Sequence, residues 1–249
     1  YALGYFKDTE NVTISDCFVS GYDRGTMLSG TWELDEPQAP DHGYRTGRIK
    51  LGTESSGGFK NITVTNCIFE HCRGLALETV DGGHLEDIEI SHITMRHIVN
   101  AGIFLRLGAR MRSPEGTPAG SMKRIRISHI NAYDVDSRYS SIISGIPNGI
   151  IEDVTFDHIH LYYKGGYTKE DGKRELPEQE KVYPEPWMFG TIPAKGFYIS
   201  HAKNISFHHI NFYYEKPDGR PLFVTKDVEN IRLTDIQENG ENVSVTINQ

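Results

Sequence analysis

Residues 61–95 read NITVTNCIFEHCRGLALETVDGGHLEDIEISHITM, and this stretch decides the predicted fold class. One phrase occurs in it twice, first as NITVTNCIF from Asn61 and again as DIEISHITM from Asp87, 26 residues later. Each copy begins with Asn or Asp and then alternates apolar and polar residues. Related phrases begin at Asn11, Arg124, Asp153, Asn204, Asn230 and Asn242. A repeat of this length cannot bury its own apolar face, so the copies are expected to stack on one another.

The alternation of apolar residues within the phrase predicts a β-strand with one buried face. A second strand-like run precedes most phrases, as in GRIKLGT from Gly47, GLALETV from Gly74 and AGIFLRLG from Ala101. Repeated parallel strands with Gly or Asn at the corners predict an all-β fold, a right-handed parallel β-helix. A leucine-rich repeat is less favoured because its leucine signature is missing, and a propeller because only two strands are evident per unit. We expect residues 1–249 to form a single β-helix domain that lacks its N-terminal coils.

The composition restricts the partners of the chain. Its formal net charge of −8 disfavours a nucleic-acid-binding surface. No apolar run approaches the length of a membrane span. We therefore expect a monomer that binds neither nucleic acid nor membrane.

Histidines recur at one position of the repeat. Its sixth position holds Asp16, Asn66, His92, His129, His158, His209 and Asp235 in successive copies. Ligands in a straight line along a corner do not close a tetrahedron, so we interpret this column as structural and expect no metal and no cofactor. The next position holds Cys17 and Cys67 in the first two copies, and these are expected to be small core residues.

Three segments interrupt the repeat: Ser29 to Thr46, Gly108 to Lys123 and Tyr163 to Lys195. Long loops on a rigid scaffold commonly carry binding sites. The third loop contains Tyr183 and Trp187, whose flat faces suit stacking on sugar rings. Passive packing of the loop on the scaffold is the alternative.

Strand alternation predicts a polar wall on the outside of the repeat. If the apolar residues of the strands point inward, Lys50, Glu78 and Arg106 form one outward ladder. Arg48, Ala76 and Phe104 form a second. The loop that follows adds Arg110 and Arg112. Cations around a carboxylate suit recognition of an acidic sugar, because arginine pairs with both oxygens of a carboxylate. A ladder of salt bridges across paired strands is the structural alternative.

The segment RIKLGTESSGGFKNITVTNCIFEHCRGLALETVDGG, residues 48–83, resembles the central block of glycoside hydrolase family 28, the polygalacturonase and rhamnogalacturonase group. The similarity extends over most of residues 47–211, as the C-terminal portion of a family member. The resemblance implies a pectin-lyase-like β-helix and inverting hydrolysis of a pectic poly- or oligosaccharide. It also implies a secreted or periplasmic location. The family's catalytic aspartates are expected to lie before Tyr1.

The sequence differs from the family at the positions of two of the family's functional motifs. No histidine stands near Gly47, where the family has Gly-His-Gly, and His42 is the nearest substitute. The family's Arg-x-Lys matches Ala76 and Glu78. We therefore predict Glu78 and His42 as catalytic residues, with Glu78 ionised because of its cationic neighbours. The predicted substrate-binding residues are Arg48, Lys50, Glu54, Arg106, Arg110, Arg112 and Trp187.

Two other functions fit the same repeat. A non-catalytic carbohydrate-binding or tail-spike-like protein needs the surface but no catalytic acids. A metal-dependent lyase needs several acids that project together, whereas the predicted wall is cationic with one acid.

Overall fold

The computed structural model describes residues 8–24, 34–37, 48–245 and 247. These residues form an all-β fold with 14 strands. The strands are β1 (Thr9–Ser15), β2 (Phe18–Ser20), β3 (Tyr22–Arg24), β4 (Leu34–Pro37), β5 (Lys50–Leu51), β6 (Phe59–Glu70), β7 (Arg73–Thr79), β8 (His84–Leu107), β9 (Ser121–Val135), β10 (Ser141–Ser144), β11 (Ile151–Tyr163), β12 (Phe197–Tyr214), β13 (Phe223–Glu238) and β14 (Glu241–Asn242). Two short 3₁₀-helices, Asp171–Lys173 and Pro186–Phe189, lie between β11 and β12.

Successive repeats pair in parallel and in register. In the main sheet the strand order is β1-β6-β8-β9-β11-β12-β13-β14. Ile62 is opposite Ile88, Ile88 is opposite Ile125, and the same column continues through Val154 and Ile205. These five side chains are at most 2 % exposed, so the phrase supplies one continuous apolar core.

Five of the strands close a ring. β8 pairs with β9, β9 with β11, β11 with β12, β12 with β10, and β10 returns to β8, always in parallel. The other strands of this sheet lie outside the ring, and β3 and β4 form a separate antiparallel pair.

This ring corrects the predicted fold class. The sequence predicted short strands that pair only with the copies above and below, as in a right-handed parallel β-helix. In the structure β8 is 24 residues long and continues through positions where the sequence predicted the end of one strand and the start of the next. It therefore pairs with β9 along its first part and with β10 along its last. The fold is an all-β arrangement with a closed ring of five parallel strands and further strands outside it.

The backbone bends at the sixth position of each phrase. The seven residues of this column have φ between 50° and 56°, in the left-handed region that Asn, Asp and His enter more easily than most residues. The rings of His92 and His129 stack at 4.8 Å, and those of His129 and His158 at 5.2 Å. The column thus occupies the bend that the sequence predicted. Of the two cysteines at the next position, Cys67 is buried and Cys17 is half-buried.

The segment between β11 and β12, residues 164–196, covers one outer face of the strands and is called the covering segment below. Its Leu176, Met188, Phe189 and Ile192 form a second hydrophobic cluster with residues of β7, β8, β10 and β12. Ala76 and Phe104, which the alternation placed on the outer wall, are buried under this cover. The segment therefore decides which polar side chains of that wall remain accessible. Within the part of the chain that the structure describes, no helix is long and apolar enough to span a membrane.

Candidate functional site

The candidate site lies where β5, β7 and the covering segment meet. The Nζ atom of Lys50 is 2.9 Å from Oε2 of Glu78 and 2.7 Å from Oγ1 of Thr53. Thr53 donates its hydroxyl hydrogen to the same Glu78 oxygen over 3.0 Å. The Nη2 atom of Arg48 is 3.6 Å from the other oxygen, Oε1. One carboxyl group is thus held by two cations and a hydroxyl.

Glu78 has no exposed surface. Burial raises the pKa of its carboxyl group above the usual value, because removal from water disfavours the charged form. Lys50 and Arg48 oppose this rise, whereas the neighbouring carboxylate of Glu185 adds to it. The neighbouring cations, which were expected to favour the ionised form, therefore do not set the direction of the pKa shift. Desolvation is the larger effect.

A second carboxylate reaches this cluster from the covering segment. The carboxylate of Glu185 accepts hydrogen bonds from Arg48, from Nη1 of Arg73 at 2.9 Å and from Nδ2 of Asn100 at 3.2 Å. Lys50 Nζ lies 4.0 Å from its Oε1. The side chain of Glu185 is 3 % exposed, so it is enclosed by its partners.

A second ion-paired group lies beside the first. Arg110 forms a two-pronged pair with Asp81, in which Nε is 3.0 Å from Oδ1. The backbone N–H of Arg112 donates to Asp81 over 3.0 Å. The side chains of Arg110 and Arg112 both approach the exposed carboxylate of Glu54, at 3.4 and 3.3 Å. The loop after β8 is thereby fixed against the end of β7.

Tyr183 joins the two groups. Its hydroxyl oxygen is 3.1 Å from Oγ1 of Thr53. The cations of Lys50 and Arg110 lie 5.4 and 5.9 Å from the centre of its ring, within the range of cation–π attraction. Its side chain is 43 % exposed, so an aromatic surface faces solvent directly above Lys50.

Three buried polar atoms of this region have no hydrogen-bond partner among the described residues. They are Oε1 of Glu78, Nε of Arg73 and Nη1 of Arg110. Buried polar atoms in folded proteins nearly always have partners, and exceptions concentrate at functional sites. The cluster is therefore the best candidate site in the described part of the chain.

The strand register corrects the predicted ladder. Lys50 is opposite Ala76, so it lies two residues away from the place beside Glu78 that the alternation gave it. Glu78 is opposite Arg106 as expected, but both side chains are buried. Arg106 donates to Ser144 and to the backbone oxygens of Gly145, Glu178 and Gln179.

Arg106 therefore anchors the covering segment, and its predicted role in substrate binding is not supported by its surroundings. Burial lowers the pKa of Arg106 to about 10. Below that pH the guanidinium keeps the charge with which it binds the backbone oxygens.

Most of the other predicted substrate-binding residues lie in one of the two ion-paired groups. Arg48 and Lys50 lie in the first group, and Glu54, Arg110 and Arg112 in the second. Trp187 is 40 % exposed on the 3₁₀-helix that follows Glu185. His42 lies outside the described residues, and its catalytic role stays a prediction.

Sequence reasoning missed five members of the site: Thr53, Arg73, Asp81, Asn100 and Glu185. The first four stand at or next to the ends of strand-like runs, where alternation gives no direction for a side chain. Glu185 belongs to a long segment without periodicity, in which the aromatic residues Tyr183 and Trp187 were identified but Glu185 was not. The only signal for Glu185 was the Pro-rich and aromatic composition of VYPEPW, residues 182–187.

One other group of side chains has metal-ligand chemistry. Oδ1 of Asp157 is 2.8 Å from Nδ1 of His158 and 3.0 Å from Nδ1 of His209. The three ligand atoms lie within 4.8 Å of one another at the exposed bend. Each of these contacts is also an ordinary ion pair, so they fit the structural role predicted for the column.

No family model matches the chain, and neither does any curated protein or solved structure.

Proposed function

We propose that the chain belongs to a glycoside hydrolase that acts on an acidic pectic polysaccharide. The observation that carries the proposal is the concentration of Arg48, Lys50, Arg73 and Arg110 beside an exposed aromatic ring. These cations pair with Glu78, Glu185 and Asp81, and their donor groups suit a polymer with a carboxylate on each sugar.

The accessible part of the site has the two features that a uronate chain requires. Lys50 keeps 17 % of its side chain exposed and can donate to a sugar carboxylate. Tyr183 beside it presents an apolar ring surface on which a pyranose packs. Arg112, which is 61 % exposed, extends the positive surface toward the loop after β8.

Glu78 supports this surface from below. It has no exposed atoms in the described arrangement, so it acts on a bound sugar only by orienting Lys50 and Thr53. Its raised pKa is the property of a general acid. Direct proton transfer from Glu78 requires a rearrangement that exposes its carboxyl group.

The hydrolytic step rests on the resemblance to glycoside hydrolase family 28. Inverting hydrolysis needs one carboxylic acid and one carboxylate about 6.5–9.5 Å apart. The catalytic aspartates that the resemblance implies would supply this pair.

A non-catalytic carbohydrate-binding protein is the second candidate. The burial of Glu78 and Glu185, whose side chains are 0 and 3 % exposed, favours it. A binding surface needs the cations and the aromatic ring but no accessible acid.

Product analysis separates these functions. The longest available form of the protein is incubated with homogalacturonan and with rhamnogalacturonan oligosaccharides, and new reducing ends are measured. The proposal expects shorter products from one of the two, with an inverted anomeric configuration detected by NMR. Lys50→Ala is expected to reduce the rate at least tenfold, whereas Lys169→Ala, at an exposed lysine, leaves it unchanged. Binding without any product supports the second candidate.

A further inference from the structure

The partners of Glu185 come from a different part of the fold than Glu185 itself. Arg48 lies two residues before the start of β5, Lys50 begins β5, Arg73 begins β7 and Asn100 lies in β8. Glu185 comes from the covering segment, just before the 3₁₀-helix Pro186–Phe189. Adjacent paired strands therefore supply every donor, and one separate segment supplies the carboxylate.

Without Glu185, the strands place an excess of at least two positive charges in this cluster. Arg48, Lys50 and Arg73 contribute three positive charges to the cluster, and Glu78 contributes at most one negative charge. The raised pKa of Glu78 reduces that compensation further. A buried excess of positive charge requires an anion, because unpaired charges are strongly disfavoured away from water.

The donors also have the geometry of a carboxylate site. Arg73 and Arg48 meet one oxygen of Glu185, and the Asn100 amide meets the other at 3.2 Å. Arg73 Nε has no partner among the described residues and is available for a second hydrogen bond. Oε1 of the buried Glu78 is likewise unpartnered, and Arg48 connects it to this site.

We propose that Arg48, Lys50, Arg73 and Asn100 form a carboxylate-binding site, and that Glu185 fills it as an internal ligand which an external carboxylate displaces. This inference deepens the proposed function, because a uronate is the carboxylate that a pectic chain would bring. Tyr183 lies two residues before Glu185 and contacts Thr53, so we expect displacement of Glu185 to weaken this contact.

The first test uses acetate, which carries the carboxylate without a sugar. Glu185→Ala removes the internal ligand, and Tm is measured in sodium acetate and in sodium chloride of equal ionic strength. We expect a saturable, acetate-specific rise in Tm of about 3–6 °C at ten times the dissociation constant. The native protein is expected to show a smaller acetate-specific rise that needs higher acetate concentrations, because acetate must first displace Glu185.

Two further variants complete this test. Glu175→Ala removes an exposed carboxylate of the same segment and is expected to behave as the native protein. The double variant Arg73→Ala/Glu185→Ala is expected to lose the acetate response, because one of the donors is missing. If Glu185→Ala does not fold, Glu185→Ser takes its place, because its short side chain also leaves the site open to acetate. Equal Tm values in acetate and chloride for the folded variant overturn the proposal.

The acetate test can succeed or fail whatever the result of the test with pectic oligosaccharides. An acetate response without binding of galacturonan oligosaccharides keeps the carboxylate site and rejects the proposed substrate. Oligosaccharide binding without an acetate response keeps the substrate and rejects Glu185 as an internal ligand.

Discussion

Lys50 forms an ion pair with Glu78 although the two residues are not opposite each other in the strand register. Lys50 is opposite Ala76, and its Nζ atom reaches along the strands to lie 2.9 Å from Oε2 of Glu78. The long lysine side chain thus compensates for the offset of two residues. A cation is in this way held at the edge of the covering segment, beside Tyr183.

The raised pKa of Glu78 predicts a pH-dependent stability. A carboxyl group whose pKa is higher in the folded than in the unfolded state makes its full contribution below the unfolded value, near 4.5. That contribution is lost as the pH rises through the folded pKa. Glu78→Gln removes the titration, so its Tm is expected to rise relative to the native protein between pH 4.5 and 7.5. Glu175→Gln, at an exposed position, serves as the control, and a difference that shrinks over this range contradicts the direction of the shift.

Arg106 is expected to hold the covering segment in place. Its guanidinium donates to backbone oxygens of Glu178 and Gln179 from a position that is 1 % exposed. Arg106→Ala leaves these buried acceptors without a donor, so the free energy of unfolding should fall by about 3 kcal/mol or more. Limited proteolysis should then cleave between residues 164 and 196, whereas Arg126→Ala, at an exposed arginine, should not change the pattern. Resistance equal to that of the native protein contradicts the anchoring role.

The repeat allowed part of the fold to be predicted. The apolar alternation identified the in-register core through Ile62, Ile88 and Ile125 because one inward face must be covered in every copy. The sixth-position column was placed correctly at the bend for the same reason. The closed ring could not be deduced, because alternation does not show that one long strand pairs with different partners along its length.

Only part of the candidate site could be predicted from the sequence. Arg48 and Lys50 were identified from strand alternation, which gives the side of a strand but not the offset between neighbours. Glu185 lies more than 100 residues along the chain from Glu78, in a segment with no repeat. The burial that raises the pKa of Glu78 depends on that segment and could not be predicted from local charges.

The left-handed backbone at the sixth position of the repeat predicts that position 129 accepts Asn more easily than a β-branched residue. Its φ of 52° is in the left-handed region, where a β-branched residue is strained and Asn is accepted. His129→Val is expected to lower the free energy of unfolding by about 1–3 kcal/mol relative to His129→Asn. Urea denaturation of the two variants measures the difference. Equal stability of the two would show that the strain of the bend is relieved by other means.

Tyr183 is expected to contribute to saccharide binding through its ring. Tyr183→Phe keeps the ring and removes the contact of its hydroxyl with Thr53, which is 3.1 Å long. Tyr183→Ala removes both. We expect Tyr183→Ala to weaken binding of a galacturonan oligosaccharide about tenfold, while Tyr183→Phe stays within about threefold of the native protein. Identical losses in the two variants would assign the effect to the hydroxyl.

The comparison of an acidic oligosaccharide with its carboxyl-reduced counterpart, measured by calorimetry, tests the central claim most directly. The two ligands have the same linkages and differ only in charge. The cationic site predicts that the native protein binds the acidic form at least tenfold more tightly, and that Lys50→Ala removes most of this preference. Equal affinity of the native protein for both forms would contradict the assignment of this cluster to an acidic pectic ligand.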